Sequence, residues 1–428
     1  VVYLPFLLMV VALLLGVPIA FSLAAAGIVG ILLLGGDPSV VVRILGTTPF
    51  GVTAEYVLTT IPMFILMAYF SAGSGLARDL YTAGAHWLSQ VRGGLAIATV
   101  FACGIFGAMS GASLAAAAVM SGIAMPEMRR HGYSDELAAG SIGIGSTLDI
   151  LIPPSVGMVI YGISTQTSIG KLLIAGVVPG IIVAVFLTAA ILVWVRVRPS
   201  HAPATYAVST AERWASLGRI WSSLLLIVLV VVLLYTGVAT PTEVGALGAF
   251  LAGAIGMAVG RLTWAGVLEA LRQTIKTTAL IFMILIGATV FGYYMAMSKI
   301  PQQVVAAVTD LNLNRWVVMA GIVVAYFVVS MFMDELPLLL LTLQLTFPLI
   351  VSLGFDPIWF GVMSMLMVAM GLVFPPVGMI AFVVSSSAGV SLMKVYTGTS
   401  ILMVALILTT VLIMVFPQIV LWLPNTMR

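Results

Sequence analysis

Charge is what this chain has least of. Only 7% of its 428 residues are Asp, Glu, Lys or Arg, while 62% are hydrophobic and the mean hydropathy is +1.23. A soluble domain carries about 25% charged residues, so a water-soluble globule is excluded. Cysteine is nearly absent too: Cys103 stands alone, and a disulfide scaffold needs pairs. Ten-residue polar/apolar alternation, the mark of a membrane β-barrel, is also missing. What the chain does have is continuous apolar runs of about 18 to 30 residues. Lipid leaves backbone polar groups without water, and helices satisfy them internally. The expected fold class is therefore an all-α polytopic membrane protein.

A formal charge of +3 and a pI near 9.0 do not imply nucleic acid. A basic excess in a membrane protein is the positive-inside signal of its loops. The opening run, Val1 to Gly36, is too long for the apolar core of a leader and lacks a basic start. It reads as two helices, 1–15 and 18–35, joined at Gly16-Val17-Pro18. A polar connection over 37–55 follows, then a helix over 57–75. Residues 93–126 are apolar, with Gly107, Ser110, Gly111 and Ser113 at their centre. Residues 137–162 contain Pro153-Pro154, and 168–195 read as a further span. The basic stretch 196–219 divides the chain. Beyond it lie spans at 220–236, 242–259 and 277–297 and an amphipathic segment at 300–312. An apolar stretch over 316–350 is interrupted by Asp334, Glu335 and Pro337. A span containing Pro375-Pro376 covers 357–384, and a last helix covers 393–423.

Shifting the chain by about 222 residues superposes its landmarks. Pro126 falls on Pro348, Gly132-Tyr133 on Gly354-Phe355, and LIPPSVGM (151–158) on VFPPVGM (373–379). The order of matches predicts two repeats, 1–196 and 220–428, with a cytoplasmic linker at 197–219. The length and the Gly/Ser centre of 93–126 favour a re-entrant hairpin over a single through-helix, and 316–350 is its counterpart. Each repeat then crosses five times, so the second copy is inverted, as in many secondary transporters. On that map twelve basic residues, among them Arg129, Arg213, Arg261 and Lys394, share one side, and five, Arg43, Lys171, Lys299, Arg315 and Arg428, share the other. The first side is expected to be cytoplasmic and both termini periplasmic.

Two constellations are candidates for chemistry. GIFGAMSGAS (104–113) sits with STLDILIPPS (146–155), and SMFMDELP (330–337) with AMGLVFPPVG (369–378). Proline has no N–H, so Pro153 and Pro154 cannot bond the carbonyls of Asp149 and Ile150. Pro375 and Pro376 likewise release those of Gly371 and Leu372. A freed carbonyl at membrane depth suits a dehydrated cation, and the half-helix beyond it presents N–H groups to an anion. A structural kink is the bland alternative, and two matched breaks weigh against it. Asp149, Asp334 and Glu335 are the acids at depth, and intramembrane acids are functional candidates by default. Asp149 could be a cation ligand, a protonation site or a structural partner of a nearby hydroxyl. Asp334 could hold its hairpin tip or bind an ion. His86, His131 and His201 fall in expected loops and are assigned no chemistry. An intramembrane aspartyl hydrolase would need Asp149 and Asp334 to act as a dyad, and the GxGD context is missing around Asp149. A purely structural subunit would leave two broken helices without purpose.

The strings GAMSGASLAAAAVMSGIAMPEMRRHGYSDELAAG (107–140), LIPPSVGMVIYG, SIGKLLIAGVVPG and ATPTEVGALGA resemble the large membrane subunit of tripartite ATP-independent periplasmic (TRAP) transporters, over essentially the whole chain. The resemblance implies an elevator-type carrier of the bacterial inner membrane, not an enzyme. It implies sodium as coupling ion, no other cofactor, and an organic anion such as a carboxylate as substrate. It also implies two partners, a small four-helix membrane subunit and a periplasmic substrate-binding protein. A relative that acts alone is the alternative within transport. Carried over by motif, one ion site falls at Gly107, Ser110, Asp149, Ile152 and Pro154 and a second at Ser330, Gly371 and Phe374. Ser113, Ser155 and Asp334 fall toward the substrate. Asp149 stands where the family carries a small residue. Met367 and Phe374 replace its Asn and Thr, which a site built from backbone carbonyls tolerates and a side-chain ligand does not.

Overall fold

The computed structural model describes residues 3–203 and 205–427. Among them every regular element is a helix, and seven are long and apolar enough to cross a membrane. The first half runs α1 (Leu4–Leu14), α2 (Ile19–Leu33), α3 (Pro38–Thr53), α4 (Thr60–Gly73) and α5 (Leu76–Trp87). It continues through α6 (Gly94–Ser110), α7 (Ser113–Arg130), α8 (Asp135–Ser146), α9 (Val156–Thr165), α10 (Ile169–Ala175) and α11 (Val177–Val197). The second half begins with α12 (Thr210–Thr236), α13 (Pro241–Ala258), α14 (Trp264–Ser298) and α15 (Ile300–Asp310). Next come α16 (Arg315–Ser330), α17 (Glu335–Ser352), α18 (Pro357–Gly371) and α19 (Met379–Ala388). Last are α20 (Leu392–Leu402), α21 (Val404–Val415) and α22 (Gln418–Asn425).

Three sequence readings need correction. The stretch 37–55 is helical rather than a connection. Asp37 caps α3 by accepting the Ser39 N–H at 2.9 Å, and Pro38 occupies the first turn, where no N–H is required. The basic stretch 196–219 is a linker for only half its length. Ser209 and Glu212 form a reciprocal capping box that starts α12, so Arg213 and Arg219 ride on a helix. His86 lies in the last turn of α5, not in a loop.

The helices form two packed groups. In one, α14 lies along α2, α3 and α4, while α13 packs on α4 and α12 on α5. The α2–α14 seam is close because it is built from small residues: a side chain on Gly27 would come within 2.9 Å of the Phe291 backbone. The other group centres on α6, α8 and α18, whose side chains are almost all buried. There α8 packs on α20, with Gly140 meeting Gly398 backbone to backbone. The groups meet where α4 and α5 touch α6, and where α14 and α15 touch α17.

Several contacts draw the basic loops to one end of the molecule. Arg261 pairs with Asp79, Arg213 reaches Ser89, and the Trp87 indole N–H donates to the Arg213 carbonyl at 3.2 Å. At this end Arg129 and Lys394 hold the two oxygens of Asp135 at 2.9 and 3.0 Å, tying α7, α8 and α20 together. The hydrogen bond from Arg129, seconded by Lys394, holds the Asp135 carboxyl below the usual carboxylate range. Its stabilisation is full above the unfolded carboxylate pKa and is lost as pH falls through the lower folded value. The contacts are half-exposed, so Asp135→Asn should cost no more than about 1 kcal/mol at neutral pH. Thermal unfolding across pH should show that gap between variant and parent close on acidification.

Candidate functional site

The tip between α6 and α7 is shaped by glycine. Gly111 adopts a left-handed backbone (φ +57°) that ends α6, and its N–H donates to the Gly107 carbonyl at 2.6 Å. The Ser110 hydroxyl donates to the same oxygen at 3.2 Å, so in this conformation the Gly107 carbonyl is committed to the tip. Gly107 has no alternative residue: a Cβ there would lie 2.5 Å from the Cβ of Asp149. The tip thus sits directly on the break between α8 and α9. That break runs through a 3-10 turn, Thr147–Ile150, and the Pro153-Pro154 pair.

One polar contact spans the two. Ser113, the first residue of α7, donates its hydroxyl to Asp149 Oδ1 at 2.6 Å, and Asp149 is only 2% exposed. That length belongs to charge-assisted O–H···O bonds. Pro154 is buried, with its carbonyl near the Cβ position of Gly111, and Ile152 packs toward Gly104 and Gly180. Ser155 is buried and caps α9, accepting the Met158 N–H at 3.4 Å, so its hydroxyl serves the helix rather than a cavity.

The second break is resolved differently. Ser330 is buried and donates to the carbonyls of Phe327 and Met367 at 2.8 and 3.1 Å. Gly371 lies so close that any side chain on it would overlap the Ser330 hydroxyl. The carbonyls expected to stand free do not. Gly371 accepts from the Phe374 N–H at 3.1 Å and Leu372 from the Ile380 N–H at 2.9 Å. Thr399 donates to the Val373 carbonyl at 2.9 Å, and the Tyr396 hydroxyl lies 3.0 and 2.7 Å from the carbonyls of Pro376 and Val377. The chain folds back after the prolines, and α20 supplies the remaining donors. The Phe374 ring packs on Phe327, centroids 5.3 Å apart, and offers no ligand atom.

Between the two tips lies a cavity of about 270 Å³. Ser110 to Ala115 form one wall and Asp334, Glu335 and Leu336 another. The far side comes from α4 (Ile65, Tyr69) and α14 (Thr277, Leu280, Ile281). The Tyr69 and Thr277 hydroxyls meet at 3.0 Å. Of the residues expected to face substrate, Ser113 and Asp334 line this space and Ser155 does not. Asp334 caps α17, accepting the Glu335 N–H at 2.9 Å. Glu335 itself was named in sequence only as part of the acidic pair. Its carboxyl reaches across to Gly157 at the start of α9, and Oε1 is buried with no hydrogen-bond partner. Three helix starts converge here, those of α7, α9 and α17, and a helix N-terminus favours negative charge. Among the described residues no His/Cys/Asp/Glu group has the makings of a transition-metal site.

The family model for the tripartite ATP-independent periplasmic transporter, DctM component, matches residues 6–419. The chain belongs to this family. The large permease DctM of a C4-dicarboxylate TRAP transporter from Pseudomonas aeruginosa is 35% identical, over 94% of each chain. SiaM, the large permease of a sialic acid TRAP transporter from Vibrio cholerae, is 29% identical over 96% of this chain and 95% of its own. UehC, from an ectoine/5-hydroxyectoine TRAP transporter of Ruegeria pomeroyi, is 31% identical over 98% and 97%. The crystal structure of the YdaH transporter of Alcanivorax borkumensis shares the fold, with a TM-score of 0.66 over 88% of this chain and 89% of that one, at 15% identity. This TRAP large permease is thus a membrane-embedded transporter subunit and not an enzyme, which removes the hydrolase reading.

The Ser113–Asp149 bond should be measurable in the TRAP permease. Ser113→Ala strands a buried carboxyl and should cost about 1–3 kcal/mol, while Ser113→Thr, which keeps the hydroxyl, should cost clearly less. Thermal unfolding of the purified variants in detergent reads the difference.

Proposed function

We propose that this chain is the large permease subunit of a secondary, cation-coupled importer of a small organic anion carrying a carboxylate. The observation that carries the reading is the cavity between the two hairpin tips, faced by Ser113 and closed by α4 and α14. It is small, enclosed by helix starts and mostly apolar, as a site for a small solute should be. The uncapped start of α7, where Ala112 offers no side-chain acceptor, is the natural seat of the substrate carboxylate.

In this reading the two packed groups are a fixed scaffold (α1–α5, α12–α15) and a moving domain (α6–α11, α16–α22). The moving domain carries both tips and both breaks across the bilayer in an elevator motion. Residues 1–196 and 220–428 act as inverted repeats, and both termini face the periplasm of an inner membrane. Sodium is the proposed coupling ion. Its seat is the first break, where Asp149 supplies negative charge and the prolines leave carbonyls without a helical donor. The second break, with its carbonyls bonded inside the protein, is the weaker candidate. A small four-helix membrane subunit and a periplasmic binding protein complete the system. C4-dicarboxylates, sialic acid and ectoine, named for three relatives, support a small carboxylate, while the isethionate of a fourth is a sulfonate.

Uptake by proteoliposomes holding the large and small subunits tests this, with succinate, N-acetylneuraminate and ectoine as trial solutes. Uptake should require both an inward sodium gradient and the matching binding protein. Asp149→Asn should keep the Ser113 contact through its amide oxygen yet change the sodium or pH dependence of uptake. Full uptake without a binding protein would overturn the tripartite reading. Unchanged ion dependence in Asp149→Asn would remove that residue from coupling.

A further inference from the structure

The charges around the cavity do not suit a simple dianion. Asp334 and Glu335 both line it, and Asp149 stands one hydrogen bond behind Ser113. Among the described residues no Lys, Arg or His lines it. Two of the three carboxylates have partners inside the protein: Asp334 caps α17 and Asp149 holds the Ser113 hydroxyl. Glu335 differs, because its Oε1 is buried and unpartnered against Gly157. An ionised carboxylate in that position is costly unless a cation or a donor arrives to meet it.

We propose that the solute this permease carries bears a cationic group beside its carboxylate, and that Glu335 receives that group. The inference rests on the carrier reading and names the substrate class of the same cavity. The uncapped start of α7, with the backbone N–H groups of its first turn, attracts the carboxylate, while the α17 tip attracts an ammonium or amidinium. Ile65, Leu280 and Ile281 line the apolar far side of the cavity. A bare alkali ion is the competing occupant of Glu335, and the sodium chloride arm of the test separates the two. An organic cation with N–H donors needs only the carboxylate.

The test uses the large and small subunits together in lipid nanodiscs, without a binding protein, so that its selectivity does not intervene. Thermal shift is titrated with two matched pairs: 4-aminobutyrate against succinate and 5-aminovalerate against glutarate. In at least one pair the amino acid should stabilise the complex more than its diacid. Glu335→Gln should weaken that stabilisation at least about tenfold in apparent affinity, while stabilisation by sodium chloride stays as in the parent. A diacid preferred in both pairs, or no difference in either, overturns the proposal. So does a Glu335→Gln variant that keeps amino-acid binding, or one that loses the sodium effect instead, which would reassign the carboxylate to the coupling ion. Loss of binding-protein dependence in uptake would sink the tripartite reading without altering this result.

Discussion

Backbone polar groups at membrane depth must find partners inside the protein, and both broken helices answer to that demand. At the second break the answer is complete. The chain doubles back so that Ile380 meets Leu372, and α20 contributes Thr399 and Tyr396 to three more carbonyls. At the first break the N–H groups of Leu151 and Ile152 turn back to the Leu148 carbonyl at 3.1 and 3.0 Å, and a side-chain bond, Ser113 to Asp149 at 2.6 Å, joins a hairpin tip to the turn before the prolines. Both breaks carry a Pro-Pro pair, yet their surroundings differ in chemistry. A break sealed by the protein's own donors is structural.

The same contact places the cavity. Because Gly107 lets the tip lie against Asp149, the start of α7 is fixed beside the start of α9. Glu335 comes from the opposite tip to touch Gly157 on α9. The space left between them opens toward Tyr69 and Thr277 on the other helix group. The cavity is thus walled by both tips of one group and by the facing helices of the other.

Much of this was legible in sequence because local chemistry forces it. A Pro-Pro pair cannot continue a helix ladder, and a Gly/Ser cluster within an over-long apolar run marks a tip. Acids are too costly in lipid to be incidental. The helix α3 is hidden in sequence because Pro38 and Pro49 read as breakers, although Pro38 merely occupies the first turn under the Asp37 cap. The sealing of the second break was not legible, since Tyr396 and Thr399 lie some twenty residues further on and signal nothing locally. The sequence does not set Glu335 apart from Asp334 for a similar reason. Adjacent in sequence, they diverge only in three dimensions, one turning back to cap its own helix and the other reaching across to α9.

The central claim is that the cavity between the tips, and no other space, holds the solute. A larger cavity of about 910 Å³, lined by Glu55, Gln344 and Phe347 among others, lies between α3, α14 and α17 and is the rival location. The most direct measurement is a cryo-electron microscopy map of the large and small subunits in nanodiscs, with sodium and a transported solute at saturation. The account predicts solute density between Ser113 and Glu335. Density confined to the larger cavity, with the space between the tips empty, would contradict it.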